Sequence, residues 1–155
     1  MARAPFNVFV IPYRKNDAGE YEFAIFRRSD LGYWQFIAGG GEDDETPSDG
    51  ARRESFEEAA IPMNSKYVHL DAMCTVAAHH FPDSRKHWDK SVYVIPNYCF
   101  AVDCRKHNIA LSYEHTEFKW VEFDKCKRLL KWDSNITALW ELTERLKNDD
   151  LPEAA

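Results

Sequence analysis

Long apolar runs are missing from this chain of 155 residues. No stretch approaches the roughly 18 apolar residues that a helix needs to cross a bilayer, so no membrane span is expected. The opening Met-Ala-Arg-Ala-Pro lacks the apolar centre of a secretory signal. Cysteine is sparse: Cys74, Cys99, Cys104 and Cys126 are the only four. No two have the CxxC spacing of a zinc or dithiol site. Cys74 and Cys99 fall in strand-like runs and are expected to act as small buried hydrophobes. Free thiols fit a reducing compartment, which makes a cytoplasmic location the expectation. Positive charge is short as well. A net charge of -6 argues against a partner that is a nucleic-acid polymer. Repeats, heptads, lipid-attachment motifs and long linkers are absent, so residues 1–155 read as a single domain.

What is present suits a packed globular unit. The chain is 45% hydrophobic and 30% charged, and aromatics reach 14%, which favours β-structure. Residues 6–13 (Phe-Asn-Val-Phe-Val-Ile-Pro-Tyr) and 21–27 (Tyr-Glu-Phe-Ala-Ile-Phe-Arg) read as two strands of a hairpin. The Asn16-Asp17-Ala18-Gly19 cluster between them reads as its turn. Residues 29–45 read as a loop, broken only by a short run at Trp34-Gln-Phe-Ile. A helix is predicted to start near Thr46, with Pro47 in its first position and Asp49 in its first turn. It must stop before Pro62. Residues 67–80 read as a long strand, 82–90 as a polar and partly basic loop, and 91–103 as a β-rich run interrupted by Pro96. Residues 117–122 alternate as a half-buried strand does, and 124–131 suggest a short helix. The last helix is predicted over 134–147, with Ile136, Leu139, Trp140, Leu142 and Leu146 towards the core. Strands mixed with separate helices point to an α+β fold with a mixed sheet between helices.

Residues 39–61 carry the chemistry. Gly39-Gly-Gly runs through Glu45 into a helix bearing Arg53, Glu54, Glu57 and Glu58. Carboxylates at i, i+3 and i+4 share one helical face. Three like charges held that close call for a cation between them. Oxygen ligands favour hard ions, so Mg²⁺ (or Mn²⁺) is expected rather than zinc. Such an ion would neutralise phosphate oxygens and acidify a bound water. The glycines would let backbone come close to metal or phosphate.

This stretch resembles the Nudix box of the MutT-like hydrolases. Gly39, Glu45, Arg53, Glu54, Glu57, Glu58 and Ile61 fall on its pattern in register. Ser55 stands where an apolar residue is usual, and Ala60 where glycine is usual. Ser55 is expected to weaken helix packing, and Ala60 to alter the helix end, since a left-handed cap is harder without glycine. The resemblance implies the Nudix fold and a metal-dependent pyrophosphohydrolase. Glu54, Glu57 and Glu58 would be metal ligands, the Gly39 carbonyl would join them, and Arg53 would orient the glutamates. Glu45 would be structural. A further carboxylate from outside the box commonly completes such sites. Glu114, in Ser-Tyr-Glu114-His115-Thr-Glu117, is the candidate for fourth ligand or general base. His115 would assist proton transfer near neutral pH, and Glu117 is a weaker candidate. Many Nudix enzymes are dimers, which leaves a homodimer open.

Beyond the box, Arg27-Arg28-Ser-Asp-Leu-Gly-Tyr33-Trp34-Gln, Lys119-Trp120 and Trp132-x-Ser134-Asn135 are similar to a bacterial subgroup of dATP pyrophosphohydrolases and dihydroneopterin triphosphate pyrophosphatases. The resemblance implies a small phosphoanhydride substrate cleaved to a monophosphate and pyrophosphate. A flat heterocycle would stack on Trp34 or Tyr33. Arg28 and the loop bearing Arg85, Lys86 and His87 would hold outer phosphates. Two alternatives stand beside this reading. One keeps the box but takes a nucleoside diphosphate derivative, of dinucleoside polyphosphate or ADP-ribose type. The other is a nucleotide sensor without turnover; full retention of the box glutamates favours catalysis.

Overall fold

The computed structural model describes residues 2–155. Its backbone begins with β1 (Arg3–Lys15) and β2 (Tyr21–Arg28). These are joined by a turn in which the Gly19 amide donates to the Asn16 carbonyl at 3.0 Å. Gly19 has φ 80, a left-handed value suited to glycine. Along β1 the side chains alternate as a strand requires. Val8 and Val10 point into one apolar cluster, while Phe9, Ile11 and Tyr13 point into another on the opposite face.

The hairpin pairs only at its closed end, from Tyr13↔Phe23 to Lys15↔Tyr21. Beyond that the strands splay apart. β3 (Trp34–Gln35) and β4 (Ile37–Glu42) enter the fork. β3 pairs with β2, and β4 pairs with β1. Within the segment expected to be a loop over residues 29–45, broken only at residues 34–37, the sheet thus extends through residue 42, and the Gly39–Gly41 run is strand. Two unpaired strand edges must find partners, and that need overrides the weak strand propensity of glycine.

β5 (Tyr67–Ala77), β6 (Val94–Asp103) and β7 (His115–Val121) complete the sheet. β6 runs parallel to β1 from Asn7↔Asn97 to Tyr13↔Asp103. β5 is antiparallel to β6, and β7 is antiparallel to β2. The sheet is thus mixed, with seven strands. Pro96 lies within β6 rather than interrupting it. Pairing with β1 begins only at Asn97, so at Pro96 the strand is paired on one side alone, with Thr75 of β5.

Helix α1 (Pro47–Ala59) covers one face of the sheet. Its Ala51 and Ala59 pack among Val8, Val10 and Ile37. Thr46 caps it: the Thr46 hydroxyl accepts from the Asp49 amide and the Asp49 carboxylate accepts from the Thr46 amide, both at 3.1 Å. The helix ends at Ala60, which takes the left-handed conformation at φ 57, ψ 29. The left-handed cap thus forms without glycine. Between β5 and β6 lie a 3₁₀ turn (Ala78–His80), which ends β5 three residues short of the strand expected over 67–80, and α2 (Pro82–Arg85), where a polar loop was expected. Trp88 anchors this lobe against Ile95 and Ala78, and its indole N–H donates to the Arg3 carbonyl at 2.7 Å.

The other face is covered by α3 (Phe123–Leu129) and α4 (Asp133–Lys147). Cys126, Ala138, Leu139 and Leu142 enter the core there. Ile136 and Leu146 pack at its margin as expected. Trp140 does not: it is 58% exposed, and Asn135 and Ala138 occupy the buried face instead. Large apolar size misled the helical pattern at that position. The result is an α+β layer arrangement with a mixed sheet between helices. Among the described residues no helix is long and apolar enough to cross a membrane.

Candidate active site

Arg53 organises the junction of α1 and β4. All five of its N–H groups are used. Nε and Nη2 grip Glu45 at 2.8 and 3.0 Å, and Nη2 also reaches the Gly40 carbonyl at 2.8 Å. Nη1 donates to Glu54 at 2.9 Å and to Glu57 at 3.2 Å. Glu45 in turn accepts from the Glu42 amide at 2.8 Å. Arg53 holds the Glu45 carboxyl below its usual range. No donor of Arg53 is left for a substrate.

Gly39 brings β4 against the first carboxylate. A methyl group there would collide with the Glu54 carboxyl, and one at Gly40 would collide with the Arg3 guanidinium. Glu58 lies deeper, 1% exposed, with neither carboxylate oxygen hydrogen-bonded. Burial, reinforced by neighbouring Glu54, holds the Glu58 carboxyl well above the carboxylate range. Burial also raises Glu54, against the pull of Arg53. Glu57 is turned outward to Arg53, with its side chain 54% exposed. Among the described residues no three acidic, His or Cys side chains converge as a finished metal shell. Helical spacing thus gathers Glu54 and Glu58 but leaves Glu57 aside. Two deeply placed carboxyls, one with both oxygens unbonded, are nonetheless the donor set that a hard cation satisfies.

The segment after β6 closes over α1. The Ala110 amide donates to the Ala59 carbonyl at 3.0 Å and the Ser112 amide to the Glu58 carbonyl at 3.2 Å. Glu114 is thereby brought near enough for its charge to raise Glu58. Its carbonyl accepts from the Ser29 amide and hydroxyl at 3.0 and 2.9 Å. His115 Nε2 stands 3.7 Å from Glu58 Oε1, too far for a hydrogen bond. Burial, aided by Arg28, lowers His115 to about 4. The lowered value favours the neutral imidazole at pH 7. Glu117 pairs with Arg27 at 3.4 Å.

A cleft of about 660 Å³ is lined among others by Asn7, Arg28, Tyr33, Phe81, Asn97 and Trp132, with none of these carboxyls in its wall. Tyr33 and Trp132 meet edge to face, with centroids 5.6 Å apart. Trp34 is not part of the lining. It packs against the core under Lys119, whose ammonium lies 4.9 Å from the ring centroid. Tyr33 precedes β3 and turns its ring to Trp132, whereas Trp34 is held in the strand. Arg28 lines the cleft but is held by Asp30 in a bidentate pair at 2.8 and 2.6 Å. Arg85 and Lys86 line a different depression with His79, Trp88 and Lys90. Lys86 faces Asp83 at 3.6 Å.

Arg3, Asn7, Asn97 and Trp132 were not singled out by sequence as site residues. The Arg3 guanidinium bonds the Asn7 side chain, lies 4.8 Å from the Phe81 ring centroid, and feels the charge of Glu54. It thus spans carboxyls and cleft. The available signal was a polar residue in an apolar strand run, as in Phe-Asn7-Val and Pro-Asn97-Tyr.

Comparison with known proteins fits this geometry. The NUDIX domain profile matches residues 4–140. The chain belongs to the NUDIX family. It is a NUDIX hydrolase, an enzyme class acting on phosphoanhydrides and generally using divalent cations. A curated relative, the dihydroneopterin triphosphate diphosphatase of Haemophilus influenzae, is 27% identical over 134 residues, covering 86% of this chain and 84% of its own. A candidate NUDIX hydrolase of solved structure from Listeria monocytogenes is 44% identical with a TM-score of 0.85, covering 96% of this chain and 99% of its own. An Ap4A hydrolase from C. elegans has a TM-score of 0.72 at 20% identity, covering 94% and 99% of the two chains. At that identity the NUDIX fold is what is shared.

Proposed function

We propose that this NUDIX hydrolase cleaves a nucleoside triphosphate of dATP type, or dihydroneopterin triphosphate, to a monophosphate and pyrophosphate. The observation that carries the reading is the buried, unbonded Glu58 carboxyl beside Glu54, with Arg3 linking the carboxyls to an aromatic cleft. The curated relative supports the pterin arm of the reading. Glu54, Glu58 and the Gly39 carbonyl would hold Mg²⁺ or Mn²⁺, with Glu57 joining on release from Arg53 and Glu114 completing the shell or acting as base. When bound, such an ion supplies charge neutralisation at the phosphates and an acidified water.

The chain's own residues do the rest. Arg53 fixes Glu54 while offering nothing to substrate. Arg3 stands between the carboxyls and the cleft, where the first phosphate of a cleft-bound molecule would lie. Tyr33 and Trp132 flank the ring. A water oxygen bonds to phosphorus, its proton passes to Glu114, and the bond to the bridging oxygen breaks. Pyrophosphate departs with that oxygen.

The test is a panel with Mg²⁺, reading pyrophosphate and phosphate separately. It holds deoxynucleoside triphosphates, dihydroneopterin triphosphate, ADP-ribose and a dinucleoside polyphosphate. Pyrophosphate from dATP or the pterin is expected. Turnover of ADP-ribose or the dinucleotide alone would overturn the substrate class. Binding without turnover of any compound would make the protein a sensor.

A further inference from the structure

Asn97 has no local reason to be where it is. It is 2% exposed, lies in the central strand β6, and its side-chain oxygen has no hydrogen-bond partner. A buried acceptor without a donor is uncommon and asks for an explanation. Its cross-strand neighbours do not supply one. Asn7, opposite it on β1, already receives the Arg3 guanidinium on its own oxygen. Cys74, opposite it on β5, offers at most a weak S–H donor. The Asn97 side chain lines the cleft.

The surroundings select a shape. Tyr33 and Trp132 form one aromatic corner, and Phe9 and Phe81 line the cleft as well. Flat rings fit such walls. About 660 Å³ accommodates a bicyclic heterocycle with a sugar or short polyol. Arg3 touches Asn7 and Phe81 and feels Glu54. Asn97 lies opposite the Asn7 that Arg3 bonds and lines the same cleft as the aromatic corner, so a ring seated between those aromatic walls meets it.

We propose that Asn97 is a specificity-determining residue that reads the edge of a bicyclic heterocycle in this cleft. The edge it recognises carries an exocyclic amino donor beside a ring nitrogen. A side-chain amide pairs with that edge through both its oxygen and its NH₂. The inference rests on the hydrolase reading only for the phosphate end of the ligand. A site built around a polar group discriminates strongly against analogues that leave it unpaired.

The test is ligand-observed NMR titration without metal, using adenosine, neopterin and purine riboside. Purine riboside has the same ring system as adenosine and lacks the amino group. Wild type is expected to bind adenosine or neopterin about tenfold tighter than purine riboside. Asn97→Leu is expected to abolish that preference while still binding purine riboside. Asn97→Ser serves if the leucine variant fails to fold. An unchanged preference in the variants, or no preference in wild type, overturns the proposal. Neither phosphate nor metal is present, so retained ring preference with no pyrophosphate released from any triphosphate by the wild-type protein would count against the proposed reaction alone.

Discussion

A carboxyl buried like that of Glu58, with neither oxygen bonded, costs free energy whenever it ionises. Its folded value lies above the unfolded one, so the folded protein binds the extra proton. That contribution is complete below the ordinary carboxylate range and fades as pH rises above it. His115, next to it, has the opposite sign. Its folded value of about 4 lies below the unfolded imidazole value, so its contribution is lost as pH falls from about 6.5 towards 4. Between about pH 6.5 and 8 the carboxyl slope remains; nearer 9 the buried thiols of Cys99, Cys104 and Cys126, raised to about 12, add a decline of the same sign. The metal-free protein should therefore lose stability as pH rises from 6.5 to 9. Glu58→Gln should flatten that decline in denaturant melts and lower turnover by about 100-fold or more. A variant with wild-type turnover would remove Glu58 from the chemistry. Ser55 illustrates a quieter residue-scale effect. It is fully buried at a position where apolar side chains are usual, yet its hydroxyl lies near the Tyr67 phenol, which burial pushes up to about 12 and Ser55 partly offsets. The expected loss of packing is thus joined by a polar neighbour.

At the scale of elements, β4 and α1 form one unit. Thr46 starts the helix, Arg53 ties it to Gly40 and Glu45, and the missing side chain of Gly39 leaves room for Glu54. The weak point is the far end. Ala60 is exposed and holds φ 57, a conformation that costs an alanine roughly 1–2 kcal/mol. Glycine removes that strain but adds freedom to the unfolded chain, about 0.4–1 kcal/mol in the other direction. Ala60→Gly should thus stabilise the protein by about 0.5–1 kcal/mol, seen as a higher urea midpoint at unchanged slope. An unchanged or lower midpoint would mean that the Ala60 methyl makes contacts outweighing the strain.

At the scale of the whole molecule, the cleft depends on elements distant in sequence. β1, β6, the segment before β3 and the start of α4 each contribute. Adjacent aromatics therefore divide their roles. Tyr33→Ala should raise KM by about tenfold with little loss of stability. Trp34→Ala should cost about 2 kcal/mol of stability and leave KM nearly unchanged, because the indole packs against the core. Arg85→Ala should change neither KM nor kcat, since Arg85 lines a separate depression. Steady-state kinetics with melts on the three variants checks all of these. A KM effect confined to Trp34 or Arg85 would contradict the cleft assignment.

Local spacing determined a good deal here. The hairpin, the capped helix at Thr46, the closing helix and the register of Gly39, Glu45, Arg53, Glu54 and Glu58 follow from turn chemistry, capping and a 3.6-residue period, all of which act within a few residues. Other features had no local signature. Glycines 39–41 became strand because a splayed hairpin offered two unpaired edges. Trp140 faced out and Trp34 faced the core because the available surface, not residue size, decided burial. Asn97 came opposite Asn7 only when β6 lay parallel to β1, and that pairing joins residues about ninety positions apart. Such long-range juxtaposition is set by how the layers close over the sheet, and tertiary structure alone decides it.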